Sequence, residues 1–104
     1  MAFNGTEGTT IDTDTAGIWT KNYRNANPES LKGRFFGREG LERLLRQPDC
    51  TGIRFYYGLN EAEPQLLAVG VDAEENDLLD NRGVVIDDSK PCPPYCSKPN
   101  ALNS

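Results

Sequence analysis

The chain has no histidine, one methionine, one tryptophan and only three cysteines in 104 residues. Without histidine it lacks both the commonest general base and the commonest metal ligand. Three cysteines cannot complete a four-ligand zinc site without a carboxylate or a second chain. No P-loop, no Gly-x-Gly-x-x-Gly turn and no Gly-x-Ser-x-Gly elbow is present. The usual phosphate cradles and nucleophile turns are thereby excluded. No apolar run approaches the roughly 18 residues of a membrane span. The opening MAFNGTEGTTIDTD carries neither a basic nor an apolar leader segment. The expected location is therefore the cytoplasm by default, with export by an unrecognised route as the alternative. Asn4-Gly5-Thr6 matches a glycosylation acceptor, a chance match in the absence of secretion.

A basic excess is also missing. Net charge is −5, so no nucleic-acid partner is expected. The charge is unevenly placed. Lys21 to Arg54 holds eight basic and four acidic residues, whereas Glu61 to Asp88 holds nine acidic residues and one basic residue, Arg82. The plain reading is two solvated faces of opposite sign. The sharper one is attraction between copies of the chain.

What is present reads as one α+β domain. Ile53, Phe55, Tyr57 and Leu59 alternate with Arg54, Tyr56 and Gly58, the pattern of a half-buried strand. Asn60 to Pro64 breaks that pattern, and Leu67, Val69 and Val71 resume it, with Leu66, Ala68 and Gly70 on the other face. A lone hairpin is marginal in water, so its apolar face requires cover from helices. Trp19, Tyr23 and Ala26 lie at helical spacing, with Ile18 beside them, after candidate caps at Asp12, Thr13, Asp14 and Thr15. Asn27-Pro28 ends that helix. Pro28 can open a second one, in which Leu31 and Phe35 share a face and Gly33 and Gly37 weaken the run. Arg38 to Gln47 is the clearest helix, with Leu41, Leu44 and Leu45 as its stripe and Glu39–Arg43 and Glu42–Arg46 as i, i+4 pairs. Val84, Val85 and Ile86 suggest a short third strand.

The expected architecture is two or three short helices packed on a small antiparallel sheet, a hairpin plus that third strand. Residues 1–12 read as an N-terminal arm, 13–88 as the domain, and 89–104 as an extended arm rich in proline and cysteine.

Three constellations invite a chemical reading. Cys92 and Cys96 bracket Pro-Pro-Tyr, one residue too many for a thioredoxin-like Cys-x-x-Cys site. Plain thiols, a local disulfide, a metal site shared with Cys50, and a reactive thiol all remain open. Cys50 alone is most simply a small buried hydrophobe. Asp72, Glu74 and Asn76 imitate the start of a calcium loop. The imitation ends at Asp77, where glycine is needed, and at Gly83, where glutamate is needed. Lys32, Arg34 and Arg38 flank Phe35 and Phe36, and Arg54 and Tyr56 share the outward face of the hairpin. The phenylalanines are better read as core than as stacking platforms. The candidate interaction surface comprises Arg34, Arg38, Arg54, Tyr56, Asp72, Glu74, Glu75, Asp77 and Tyr95. No catalytic residue, cofactor or resident metal is assigned.

Several stretches resemble a group of small uncharacterised bacterial proteins. They are Phe36-Gly37-Arg38-Glu39, Gly52 to Gly58, Val69-Gly70-Val71-Asp72, and the closing Pro91 to Cys96 with Ala101-Leu102-Asn103. The resemblance spans about residues 16–104. It implies a bacterial origin and a cysteine–proline tail that belongs to the domain, and carries no activity, cofactor or catalytic residue with it.

The leading expectation is a non-enzymatic structural or interaction module that associates with itself, as a homo-oligomer or polymer, through terminal arms, sheet edge and segregated charge. The alternatives are a monomeric binding or regulatory protein for another macromolecule, and a thiol redox or metal protein using Cys92 and Cys96.

Overall fold

A computed structural model describes residues 2–80 and 83–104. Arg82, the one base counted in the acidic stretch, lies outside the described residues. The elements run α1 (Thr13–Ala26), β1 (Gly33–Phe35), α2 (Arg38–Leu45), β2 (Gly52–Asn60), β3 (Glu63–Val71), β4 (Val85–Ile86) and β5 (Lys90–Cys92). The class is α+β, with a three-stranded antiparallel sheet ordered β2-β3-β4 and a two-stranded one pairing β1 with β5. The chain divides into two compact units: Met1–Glu7 with Phe36–Ser89, and Gly8–Phe35 with Lys90–Ser104.

In the first unit the hairpin forms because two alternating runs flank a two-residue turn, Glu61-Ala62. Glu61 takes φ 57°, a left-handed conformation that costs a non-glycine residue about 1 kcal/mol. The register pairs Phe55 with Ala68 and Arg54 with Val69. Directly opposed residues share a face, so Leu67 and Val69 stand with Tyr56 and Arg54, not with Tyr57 and Phe55. β3 is the central strand and is used on both faces: Ala68, Val69, Gly70 and Val71 are all buried.

α2 packs on β2 and β3. Leu44, fully buried, is its anchor in the core, whereas Leu45 is half exposed. Glu42 and Arg46 lie 3.7 Å apart on the solvent side, where such a pair adds little. Ile86 reaches Gly40 of α2, and the Phe36 and Phe55 rings meet at 5.6 Å between centroids. Gly70 has to be small. A Cβ there would stand 2.6 Å from Gln47 Nε2 and 3.1 Å from Cys50 Sγ.

The helix covers only part of the hairpin. Eight residues of helix are about 12 Å long, whereas nine residues of strand are about 30 Å. Tyr57 (93% exposed) and Leu59 (74%) lie on the stretch left bare, which corrects the expectation that Ile53, Phe55, Tyr57 and Leu59 together form a buried face.

In the second unit α1 begins at Asp12, whose side chain accepts from the Thr15 N–H at 2.7 Å and the Thr15 hydroxyl at 2.9 Å. It ends where the Asn27 N–H and side-chain amide both donate to the Tyr23 carbonyl. α1 buries no residue; Ile18, Trp19 and Tyr23 are each more than half exposed. The segment after Pro28, expected to be a second helix, is a turn leading into β1. Leu31 and Phe35 have helical spacing, but the Lys32 N–H bonds to the Cys92 carbonyl at 2.7 Å, and β1 then pairs with β5. A distant strand partner overrides a weak local preference interrupted by glycine.

The tail is folded rather than merely extended. Asn103 donates to the Ser97 and Lys98 carbonyls, and Asn100 Oδ1 accepts from the Leu102 N–H. This turn docks on α1 at Gly17, where a Cβ would sit 2.8 Å from the Ala101 carbonyl oxygen. Arg24 donates to the Leu102 and Ser104 carbonyls at 2.7 and 2.6 Å, and Lys32 to Asn103 O at 2.9 Å.

Candidate functional site: a clamped aromatic strand edge

The outward face of β2 carries Arg54 and Tyr56, two residues apart and so on one side of the sheet. Both reach Asp77, which the acidic segment brings back over β3 through a bridge to Val71. Arg54 Nη1 donates to Asp77 Oδ1 at 2.6 Å, and the Tyr56 hydroxyl donates to Oδ2 at 2.5 Å. Arg54 Nη2 adds a longer bond to the Glu75 carbonyl at 3.3 Å. The Tyr56 oxygen first, then the Asp77 carboxylate, raise the Arg54 pKa above its ordinary value, against the opposing effect of desolvation. The Phe3 ring lies against this guanidinium at 5.9 Å, and the Phe3 N–H bonds to the Ala73 carbonyl.

Asp72 organises the loop itself. Its Oδ1 accepts from the Glu74 and Asn76 N–H groups at 2.9 and 3.0 Å, and Glu75 turns the chain with φ 72°. Of the residues that imitate a calcium loop, Asp72 is thus engaged by backbone amides, and Asp77, where the imitation ends, is held by Arg54 and Tyr56. Among the described residues no group of three His, Cys, Asp or Glu side chains is placed to hold a metal. A carboxylate bound at both oxygens is a clamp that ties the loop to the strand.

Of the nine surface residues singled out in the sequence, Arg54, Tyr56, Asp72, Glu75 and Asp77 come together here. Glu74 is exposed on the same turn, and Arg38 is exposed at the first position of α2. Arg34 and Tyr95 belong to the second unit: Arg34 is the register partner of Pro91, whose carbonyl accepts from the Tyr95 N–H at 2.9 Å. Cys92 and Cys96 are joined as a disulfide with Cα atoms 4.8 Å apart, and Cys50 is free and half-buried, its thiol donating to the Gly52 carbonyl.

Phe3 is the member of this cluster that sequence reasoning passed over. The only available signal was one aromatic residue in a polar stretch. Residues 3–7 and the start of β2 enclose a cleft of about 320 Å³ lined by Phe3, Glu7, Ile53, Arg54 and Val71. The Glu7 carboxylate there accepts from the Asn4 and Gly5 N–H groups, both at 3.0 Å, which holds its pKa below the ordinary carboxylate value.

Beyond the clamp, β2 ends the sheet. No strand among the described residues pairs with its outer edge. Phe55, Tyr56, Tyr57 and Leu59 are all at least 44% exposed along it. No helix among the described residues is long and apolar enough to cross a membrane. The chain matches no family model, no curated protein and no solved structure.

Proposed function

We propose that this chain is a non-enzymatic structural or interaction module that associates with copies of itself. The observation that carries the reading is the division of charge between the two compact units. The unit holding α1 and the tail has six basic and three acidic residues; the unit holding the hairpin has five basic and thirteen acidic ones, a split of +3 against −8. Unlike units of neighbouring copies attract, and like units repel, which selects one mode of encounter over others. The exposed aromatic residues of β2 and α1 supply apolar area for contact once copies meet.

The test is solution mass over a concentration series, at low and high salt, with and without reductant. A mass that rises with concentration above 11.5 kDa and falls with added salt is the expected result. A monomer at every concentration and salt refutes the reading and leaves a binding module for another macromolecule. Dissociation by reductant alone makes thiol chemistry the link in place of charge.

A further inference from the structure

From the split of charge and two bare apolar faces we infer that α1 of one copy docks across the turn end of the β2–β3 hairpin of another. The inference rests on the self-association proposed above and specifies its contact.

The hairpin side is apolar with an acidic rim. Tyr57 and Leu59 share a sheet face with Ile53 and Phe55, on the stretch that α2 does not reach. Tyr57 is paired with Leu66, which widens that face onto β3. Glu61 and Glu63 stand at the turn, and Asp87 and Asp88 line a cleft with Leu59. Residues 57–67 and 85–89 hold these four carboxylates and no base. A bare apolar sheet face calls for a helix, as α2 already provides toward Gly70. An acidic rim calls for a basic partner.

α1 fits both demands. Gly17 and Arg24, seven residues apart, share the side of the helix on which the tail docks. Ile18, Trp19 and Tyr23 are turned away from that side, and each is more than half exposed. Ile18 to Tyr23 rises about 8 Å and Tyr57 to Leu59 about 7 Å, so the two apolar patches match in length. Lys21 is exposed one turn from Ile18, and the unit that carries it is the positive one. Pairing α1 with α1, or hairpin with hairpin, would instead bring units of the same sign together. α1 and the hairpin are different surfaces, so the contact is heterologous. Each copy added leaves one of each surface free until a ring closes.

The experiment asks whether two defective chains repair each other. Trp19→Gln removes the apolar anchor of α1 and Tyr57→Gln that of the hairpin, and neither alters charge. Both side chains are exposed, so circular dichroism and melting temperature should match the wild type. Each variant alone should associate about tenfold more weakly or worse, since truncating a central aromatic anchor costs that much. Mixed in equal amounts at low salt, the two regain one intact contact: α1 of the Tyr57→Gln chain on the hairpin of the Trp19→Gln chain. The mixture should reach the mass of two chains, 11.5 kDa each, and grow no further. A mixture no heavier than either variant alone overturns the docking. So does association retained by Tyr57→Gln, which points to α1 on α1, or by Trp19→Gln, which points to hairpin on hairpin; in both cases self-association stands. A wild-type chain that stays monomeric refutes self-association and this contact with it, and leaves the hairpin face to a different protein or to α1 of the same chain.

Discussion

Leu44→Ala probes whether one side chain holds the small core together. Leu44 is fully buried, and the other buried hydrophobic residues among those described are Ala68, Val69 and Val71, all on β3. The substitution removes three carbons, worth about 2.4 kcal/mol in transfer free energy at 0.8 kcal/mol each. The cavity left behind adds to this, and buried leucine truncations cost about 2.7–5 kcal/mol in total. A helix of eight residues fastened at few points can shift partway into the gap. That argues for the lower part of the range, about 3 kcal/mol. Such a loss is a large share of the roughly 5–15 kcal/mol that stabilises a domain of this size. It corresponds to a fall in melting temperature of about 12–24 °C. Urea unfolding followed by far-ultraviolet circular dichroism measures it, with the midpoint moving and the slope unchanged. Leu45→Ala is the control: the neighbouring side chain is half exposed, and its truncation should cost well under half as much. If the two variants are equally stable, or if Leu44→Ala costs less than about 1 kcal/mol, the assignment of Leu44 as anchor is wrong.

Gly17→Ala sets two effects against each other. Alanine favours the helix by about 1 kcal/mol, but its Cβ would stand 2.8 Å from the Ala101 carbonyl, so α1 should persist while the tail detaches. Nuclear Overhauser measurements on the backbone of residues 100–104 should report new mobility; an equally ordered tail would refute the docking described. Glu61→Gly should stabilise the hairpin by about 1 kcal/mol, because only the glutamate pays for φ 57°, and a loss of stability in thermal melts would argue against that turn conformation. Asp12 has its pKa lowered from 3.8, chiefly by the Thr15 N–H and then by the Thr15 hydroxyl. Its contribution to α1 is therefore fully present above the unfolded value and is lost as pH falls through the lower folded value. Helical circular dichroism should decline in that acid window, and Asp12→Asn should remove this component of the titration while keeping a cap.

Elements specified by nearby residues were legible in advance. The leucines of α2, the alternation of β2 and β3, and the stop at Asn27-Pro28 each follow from spacing or from proline geometry. β1 was not legible, because three residues become a strand only through partners near position 91, and Leu31 with Phe35 imitates a helix. Arg54, Tyr56 and Asp77 could each be singled out from a pattern. Their convergence depends on the loop folding back to Val71, which periodicity does not report. Tyr57 and Leu59 misled for a different reason. Alternation says which side of a strand is apolar but not how far along it a covering helix extends.

The mismatch in length between α2 and the hairpin also sets how the sheet should open. Backbone amides near Ile53 and Gly70 lie under the helix side of the sheet, so their exchange with solvent requires unfolding of most of the unit. Toward Gly58 and Gln65 no helix among the described residues covers the strands, and the pair at Leu59 includes Pro64, which has no N–H to donate. Deuterium should therefore enter from the turn and advance toward the helix, residue pair by residue pair. The strand ends fray together in native conditions while the base stays closed. The hairpin then behaves as two regions of unequal stability within one continuous ladder.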